Sequence, residues 1–341
     1  MTAAPDTFLH SLIIGTGAIG QRHLRHLAEL APGRRYTFLR RDPSPRAVDA
    51  DYAPTIVTDL DAAVALRPDL AIVASPSARH IDVLPKLIAA NIPLYVEKPI
   101  VITGQDVDVI TAALAAADPD VPRLAGFNFR YLPSLEALHG LITRGALGRI
   151  VRAHLSAGQW LPDWRPGTDY RTVYSARPEL GGGVLFDLIH ELDLCRWWFG
   201  TPHRIHAMTG TLSSLNLEVE DCCTALLGFE RGPLVSVGLD YVARQRLRRY
   251  EVVGDEGTAI WDLAAQRLHV ERPGGVTEVI TGPEGFDVAA TYPTALSELL
   301  AAIDARRKGQ ILPRSLTPRQ DLRDGLASSR LAIELKETAP Q

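Results

Sequence analysis

Short apolar runs alternate with helix-period stretches along the first third of the chain. A doubly wound parallel sheet with helices on both faces is typical of such alternation. The strand candidates are Leu9–Ile14, Tyr36–Leu39, Leu70–Ala74 and Pro93–Val96, and the helical stretches lie at 21–30, 62–66 and 81–90. We therefore expect an α/β domain built on a doubly wound parallel sheet over residues 1–125.

The pattern changes near residue 130, where closely spaced extended segments replace the alternation. Strands separated by glycine- and proline-containing turns favour a large, mostly antiparallel, open sheet. These segments lie at 150–159, 203–212, 221–230, 233–241, 248–254, 257–262, 266–271 and 276–280, with helices at 135–144, 184–199, 294–307 and 318–337. We expect an α+β domain over residues 126–341, of which the last helix could pack on the first domain.

Composition narrows the kinds of partner. The 341 residues carry a formal net charge of −4 and are 46% hydrophobic, so a basic nucleic-acid surface is not expected. No run of about 18 apolar residues is present, so no membrane helix is predicted. The three cysteines, Cys195, Cys222 and Cys223, show neither metal-ligand spacing nor a disulfide framework. We expect a cytoplasmic protein without a bound metal.

A glycine-rich turn joins the first strand candidate to the first helix. Its residues are Gly15-Thr-Gly17-Ala18-Ile19-Gly20. In such a turn the first glycine makes the bend, the second lets backbone approach a pyrophosphate, and the third lets helix and strand pack closely. The helix N-terminus adds free N–H groups and a positive partial charge. The strand–turn–helix context therefore predicts a dinucleotide-binding Rossmann domain, with these residues at the cofactor.

The end of the second strand bears on the choice between NAD and NADP. An acidic residue about 20 positions after the glycine turn would bond the ribose 2′-hydroxyl of NAD. Here Arg40 and Arg41 occupy the region and Asp42 follows. A guanidinium pairs well with the 2′-phosphate of NADP, which makes NADP the leading expectation. NAD is the alternative, since Asp42 could reach a ribose and turns often carry arginine in an arginine-rich chain.

Two further motifs carry groups suited to proton chemistry. Glu97-Lys98-Pro99 follows the strand candidate 93–96, at the edge where a doubly wound sheet binds its ligand. In the segment GGGVLFDLIHELD at 181–193, Asp187 and His190 are three residues apart, so one helical face can present both. Hydride transfer from an alcohol carbon also requires loss of the hydroxyl proton. A lysine and a histidine meeting at a nicotinamide would supply charge stabilisation and a proton acceptor.

Together with the glycine turn, these motifs resemble the glucose-fructose oxidoreductase, inositol dehydrogenase and rhizopine-catabolism family (Gfo/Idh/MocA). The segments 69–80 and 141–150 are also similar to the family's pattern, so the resemblance covers nearly the whole chain. It implies an NAD(P)-dependent oxidoreductase acting on CH–OH groups. It also implies that Ser75, Pro76 and His80 belong to the cofactor loop.

The resemblance further implies a role for each residue of the two motifs. Lys98 would lie near the nicotinamide and the reacting hydroxyl, and Glu97 would hold the cofactor ribose or orient the lysine. His190 would be the general acid/base, with Asp187 beside it. In many relatives the aspartate precedes the histidine by four positions, not three, which leaves open whether Asp187 touches substrate or only orients His190. Asp193 is expected to be structural.

An irregular aromatic and polar segment, 159–174, precedes the glycine triplet at 181–183. Aromatic faces pack on sugar C–H surfaces, and arginine, aspartate and tyrosine bond hydroxyl or anionic groups. A related loop occurs in relatives that handle surface-sugar precursors, so a sugar, polyol or nucleotide-sugar derivative is the leading substrate class. An oligomer interface is the alternative use of this loop. The candidate substrate-binding residues are Arg130, Trp164, Arg165, Asp169, Tyr170 and Arg171.

Two other functions stay open at this point. A tightly held cofactor could be reduced and reoxidised within one turnover, giving net epimerisation, elimination or glycoside cleavage. A non-catalytic cofactor-binding sensor could use the same fold, although the presence of both Lys98 and His190 argues against it. The broad antiparallel sheet needs cover on its open face, and the resemblance suggests a homodimer or homotetramer.

Overall fold

The computed structural model describes residues 9–310 and 318–338, which form two compact units. Of the described residues, the first unit contains 9–126, 292–310 and 318–326. The second contains 127–291 and 327–338. Residues 292–310 and 318–326 therefore belong to the first unit, whereas the sequence analysis placed them in the second and allowed only the last helix to pack on the first.

Six parallel strands form the sheet of the first unit. They are β1 (His10–Ile14), β2 (Arg35–Leu39), β3 (Thr55–Val57), β4 (Leu70–Val73), β5 (Leu94–Val96) and β6 (Arg123–Ala125). All four residues of β4 are buried, as expected for a parallel strand covered on both faces. The strand order is β3-β2-β1-β4-β5-β6, so it reverses between β1 and β4. The carboxyl ends of the strands at such a reversal are where doubly wound sheets bind ligands.

Helices connect these strands along the chain, and further helices belong to the second unit. In chain order they are α1 (Ala18–Leu30), α2 (Ala47–Tyr52), α3 (Leu60–Ala65), α4 (Leu84–Ala89), α5 (Gly104–Ala116), α6 (Pro133–Thr143), α7 (Val184–Asp187), α8 (His190–Phe199), α9 (Thr291–Arg307) and α10 (Leu322–Thr338). The buried positions of α1 are Gly20, His23, Leu24 and Leu27, a helical spacing of three and four that faces the sheet. No helix in the described residues is both long and apolar enough to cross a bilayer.

Eight strands form the open sheet of the second unit. They are β7 (Ile150–Gly158), β8 (Arg204–Gly210), β9 (Cys222–Gly228), β10 (Leu234–Asp240), β11 (Leu247–Gly254), β12 (Gly257–Asp262), β13 (Arg267–Arg272) and β14 (Val276–Thr281). The order is β14-β13-β12-β11-β7-β10-β9-β8, and only the β7–β10 pair is parallel. Alternate residues are buried on one face, as in β10, where Val235, Val237 and Leu239 are fully buried. The expected combination of a doubly wound parallel sheet with a large, mostly antiparallel sheet is confirmed.

The helix expected over 184–199 is interrupted. At Leu188 the backbone leaves the helical region, with φ −97° and ψ 34°, so α7 ends at Asp187 and α8 begins at His190. The two residues do not share one continuous helical face, which corrects the sequence expectation. Asp187 is instead the last residue of α7, and His190 is the first residue of α8.

Candidate active site

The glycine turn after β1 is packed too tightly for side chains. A Cβ on Gly15 would lie 2.5 Å from backbone atoms of Ala74 and Ser75, and Gly15 has a φ of +96°. A Cβ on Gly20 would lie 2.0 Å from the Gly15 carbonyl oxygen, whereas Gly17 has nothing within 4 Å of its Cβ position. The turn is therefore closed towards the sheet and open at the start of α1. This cradle fits a dinucleotide pyrophosphate at a helix N-terminus.

Further predicted cofactor residues follow the glycine turn in α1 or follow β4, the strand next to β1. Ala18 and Ile19 form the first turn of α1, and Ser75 and Pro76 follow β4. His80 is completely buried, with Nδ1 3.0 Å from the Ile100 carbonyl oxygen and Nε2 2.9 Å from that of Ser75. Burial lowers the pKa of His80. Its ring braces the loop after β4, and the assignment of this loop to the cofactor stays a prediction.

Glu97 anchors the turn that carries the lysine. Its Oε1 lies 2.6 Å from His23 Nε2, and its Oε2 accepts a hydrogen bond from the Lys98 N–H at 3.2 Å. The two side chains of the Glu97–His23 pair are 10% and 0% exposed, and the His23 ring also packs 4.5 Å from the Tyr95 ring. The Lys98–Pro99 bond is cis. Sequence reasoning did not single out His23, although a histidine on the buried face of α1 signals a polar partner nearby.

Arg40 is turned inward at the end of β2. Its Nη1 and Nη2 bond the two carboxylate oxygens of Asp49 at 2.9 and 2.7 Å, and Nη2 also reaches the Pro43 and Ser44 carbonyl oxygens. The side chain is 6% exposed, whereas that of Arg41 is 80% exposed. Arg40 therefore builds the loop between β2 and α2. This corrects the expectation that its guanidinium faces a 2′-phosphate.

His190 begins α8 and lies in an aromatic setting. Its ring stacks on Phe129 with centroids 4.5 Å apart and planes 13° from parallel, and it meets Phe127 edge-on at 5.9 Å. The Arg248 guanidinium lies 4.6 Å from the Phe129 centroid and pairs with Glu191 at 2.8 Å. The residue is 7% exposed. The ring plane of His190 is thus set by packing, as an acid/base group with a defined orientation requires.

Asp187 is held by a residue that the sequence analysis missed. The Tyr241 hydroxyl donates a 2.7 Å hydrogen bond to Asp187 Oδ2, and Tyr241 is fully buried at the end of β10. Burial, together with the charge of Asp187, raises the pKa of Tyr241 well above its ordinary value. The phenol therefore stays a donor. The only sequence signal was an aromatic residue directly after a buried strand.

Arg130 is used inside the second unit. Its Nε and Nη2 donate to both oxygens of Asp193 at 2.9 and 2.8 Å, and the two side chains are 3% and 1% exposed. The Ser328 hydroxyl also donates to Asp193, at 2.7 Å. A guanidinium committed to a buried carboxylate is not available to a ligand, so the expectation that Arg130 binds substrate is corrected. The expected structural role of Asp193 agrees with these contacts.

Hydrogen bonds and a ring contact hold the aromatic residues of the loop 159–174 in place. The Trp164 indole N–H donates to the Gln159 carbonyl oxygen, and the ring meets Tyr241 edge-on at 5.4 Å. The Tyr170 hydroxyl donates to the Leu215 carbonyl oxygen at 3.1 Å. These contacts place both aromatic residues on the framework of the second unit.

The charged residues of this loop are exposed. Asp169 and Arg171 form a two-point ion pair with bonds of 3.0 Å, and Arg165 projects from the surface. A cavity of about 420 Å³ opens beside the loop, with Trp160 and Arg244 in its wall. The Arg244 guanidinium lies 3.7 Å from the Trp160 ring centroid. Sequence reasoning had not named Trp160 or Arg244 as site residues.

Metal ligands were not expected. Among residues 9–310 and 318–338, no three His, Cys, Asp or Glu side chains are grouped so that they could hold a metal ion.

A Rossmann sheet with a glycine turn, joined to a unit with an open antiparallel sheet, is the architecture of a two-domain nicotinamide-dependent oxidoreductase. Residues 9–120 match the model described as "Oxidoreductase family, NAD-binding Rossmann fold", and residues 135–260 match the GFO/IDH/MocA C-terminal domain. The two matches together cover more than half of the chain. It belongs to the GFO/IDH/MocA oxidoreductase family, which confirms the resemblance drawn from the motifs.

Curated relatives and solved structures agree with this placement. An inositol 2-dehydrogenase of Acidothermus cellulolyticus is 28% identical over 316 residues, 89% of this chain and 83% of that protein. An inositol 2-dehydrogenase of Gluconacetobacter diazotrophicus is 29% identical over 191 residues, and that match spans about half of each protein, 54% and 52%. The fold is shared with the WlbA dehydrogenase of Bordetella pertussis in complex with NADH and UDP-GlcNAcA. There the TM-score is 0.80 at 20% identity, over 98% of this chain and 96% of that one.

Proposed function

We propose that this protein is an NAD(P)-dependent dehydrogenase or reductase that acts on a CH–OH or keto carbon of a sugar, polyol or nucleotide-sugar derivative. The turn at Glu97 and Lys98 carries the proposal. It follows β5, the neighbour of β4 in the sheet, and it is held by the bond between Glu97 and His23 of α1. Doubly wound sheets bind the reacting part of a cofactor along this edge. Membership of the oxidoreductase family supports the assignment.

The proposed chemistry divides between a lysine and a histidine. A nicotinamide cofactor held by the turn Gly15–Gly20 would supply the hydride acceptor for alcohol oxidation and the hydride donor for carbonyl reduction. The Lys98 ammonium polarises the substrate oxygen, and His190 takes the hydroxyl proton during oxidation and gives it back during reduction. Asp187 orients His190. The flat packing of His190 on Phe129 supports its role, since a proton acceptor must keep one orientation.

The pyrophosphate of the cofactor is assigned to the turn Gly15–Gly20 and the first turn of α1. We propose that Arg41 meets the 2′-phosphate of NADP, because Arg40 is committed to Asp49 while Arg41 is exposed beside it. The preference for NADP over NAD then depends on Arg41.

The substrate class is proposed from the loop 159–174 and from the relatives. Inositol is a polyol, and WlbA was solved with a nucleotide sugar. In this loop Trp164 and Tyr170 offer aromatic faces, and Arg165, Asp169 and Arg171 offer charged groups at the surface. Such a mixture suits a hydroxyl-rich ligand with an anionic group.

We also propose a homo-oligomer in which the outer face of the eight-stranded sheet packs against a second copy of the chain. Met208, Leu226 and Leu234 are 74%, 57% and 69% exposed on adjacent strands of that face. A contiguous apolar patch of this kind is costly in water. The free cysteines of the described residues suit the reducing cytoplasm, where we place the protein.

Turnover with a panel of polyols, sugars and nucleotide sugars tests the proposal, with the nicotinamide absorbance as the readout. We expect Lys98→Met to lower kcat by about 10²–10⁴-fold while the Kd of the cofactor changes little. Lys86→Met is the matched control, because Lys86 pairs with Asp61 at the surface. Equal turnover in Lys98→Met and Lys86→Met would contradict the assigned role of Lys98.

A further inference from the structure

Tyr241 connects α7 to the segment that follows β7. Its O–H donates to Asp187 Oδ2 at 2.7 Å, and the Ser175 carbonyl oxygen lies 3.5 Å from the same oxygen atom. Its ring and that of Trp164 are nearly perpendicular, with centroids 5.4 Å apart and planes at 88°. Asp187 belongs to α7, whereas Trp164 and Ser175 belong to the segment that follows β7. One buried side chain therefore contacts both the loop and the carboxylate next to the acid/base histidine.

The backbone around Tyr241 is fixed on both sides. Its N–H donates to the Asp221 carbonyl oxygen and its own carbonyl oxygen accepts from the Leu161 N–H, both at 2.9 Å. One carboxylate oxygen of Asp240 accepts from the two amides after Tyr241, at 2.8 and 2.6 Å. Tyr241 is thus a rigid donor, with no exposed surface.

Asp187 has a weaker local framework. It is the last residue of a helix of only four residues, and the chain leaves the helical region at the next position. A short helix end does not by itself hold a half-buried side chain in one rotamer. A hydrogen bond from a rigid donor to a carboxylate oxygen constrains the direction of that side chain, because such charge-assisted bonds are strong and directional.

We propose that Tyr241 is a positioning residue of this enzyme, which fixes the Asp187 carboxylate and connects it to the loop 159–174. This inference rests on the proposed dehydrogenase function. Because burial and the Asp187 charge raise the pKa of Tyr241, the phenol remains protonated and donates to Asp187 throughout the working pH range. Contact of a ligand with the loop at Trp164 would then be transmitted to Asp187 through the tyrosine ring.

The first test is Tyr241→Phe, which removes one oxygen and keeps the ring. We expect kcat to fall by about 10- to 100-fold, the loss of one hydrogen bond to a charged group. The KM of the cofactor should stay within about 2-fold, since Tyr241 belongs to the second unit and the glycine turn to the first. A fall in kcat of less than about 3-fold would overturn the proposal.

A double-mutant cycle separates positioning from general destabilisation. If Tyr241 acts through Asp187, the effect of Tyr241→Phe on kcat disappears in the Asp187→Asn background. Tyr250→Phe is the matched control. Tyr250 is also fully buried and also donates to a carboxylate, Glu191 Oε1, at 2.5 Å. Its effect on kcat, whatever its size, should be the same in both backgrounds.

The outcomes distinguish this inference from the function on which it rests. A wild-type protein without nicotinamide-linked turnover contradicts the proposed function, and the inference falls with it. Turnover in which Tyr241→Phe lowers kcat by the same factor with and without Asp187→Asn overturns the inference alone. If Tyr241→Phe does not fold, Trp164→Leu is the second variant, because it removes the ring contact between the loop and Tyr241. We then expect Trp164→Leu to lower kcat by a few fold in the wild-type background and to have no effect in the Asp187→Asn background. An equal loss in both backgrounds would overturn the proposal.

Discussion

Replacement of His23 tests how the lysine turn is held in place. The His23 ring is fully buried, and Glu97, its partner at 2.6 Å, keeps only a tenth of its side chain exposed. His23→Leu roughly preserves the volume of the side chain but leaves the Glu97 carboxylate without this donor. Leaving a buried hydrogen-bond acceptor unsatisfied costs about 1–3 kcal/mol, and more when the acceptor is a carboxylate. Because Glu97 retains some solvent and the Lys98 N–H, we expect a loss of about 3 kcal/mol.

The assay is urea unfolding at neutral pH, with thermal unfolding as a second measure. A loss of about 3 kcal/mol corresponds to roughly 6–12 °C in the Tm of a domain of 150–250 residues. Glu97→Gln provides the companion variant, because an amide still accepts from the Lys98 N–H and carries no charge. The double variant His23→Leu with Glu97→Gln should be more stable than His23→Leu alone by about 1–3 kcal/mol.

Two results would refute this reasoning. One is a loss of less than about 1 kcal/mol in His23→Leu, which would mean that the pair contributes no more than an exposed contact. The other is strict additivity of the two substitutions, which would mean that each acts on its own surroundings. A decrease in kcat of His23→Leu with an unchanged cofactor Kd would further tie the pair to the lysine and not to the glycine turn.

Three further predictions concern single side chains. Arg130→Met should cost about 3–5 kcal/mol of unfolding free energy because the buried Asp193 carboxylate loses its paired guanidinium, with substrate KM nearly unchanged. A raised KM in a stable variant would restore Arg130 as a substrate ligand. Arg41→Ala should weaken NADP binding about 10-fold more than NAD binding in equilibrium titrations, and an unchanged ratio of the two Kd values would remove Arg41 as the selector. Burial lowers the pKa of His80, so below about pH 6.5 the unfolded chain binds more protons than the folded chain, and the protein becomes less stable as the pH decreases. The difference in unfolding free energy between about pH 7.5 and pH 5.5, measured in urea, should therefore be smaller in His80→Gln than in the wild type. An equal difference in the two proteins would contradict the assignment.

The regular elements were the most predictable part of the molecule. The strands β8 to β14 each lie within two residues of an extended segment expected from the sequence. Glycine or proline turns bound most of these segments, and alternate residues face a buried layer, so local information defines them. The glycine turn was equally predictable, since its strand–turn–helix context is contiguous in sequence. The break between α7 and α8 was not, because Leu188 and Ile189 are compatible with a continuous helix.

The partners of the site residues could not be predicted. His23 and Glu97 are 74 residues apart, and Tyr241 and Asp187 are 54 apart. Neither pair shares a helix or a strand, so no periodicity connects them. Their contact depends on the folded arrangement, in which His23 of α1 reaches Tyr95 and Glu97 and α7 packs against β10. Sequence motifs therefore named the groups that carry the proposed chemistry but not the groups that hold them.

Arginine is the residue type that sequence reasoning misjudged most in this chain. Arg40 and Arg130 were both assigned to ligands, yet their side chains are 6% and 3% exposed and each forms a two-point bond with a carboxylate. A buried guanidinium must be paired within the protein, because desolvation of an unpaired charge is prohibitive. A guanidinium that recruits an anionic ligand must instead be reachable from solvent before the ligand binds. By that criterion the exposed Arg41 and Arg165 are the candidates for binding anionic groups of the cofactor and substrate. Exposure distinguishes them from the buried Arg40 and Arg130, and the local sequence does not encode exposure.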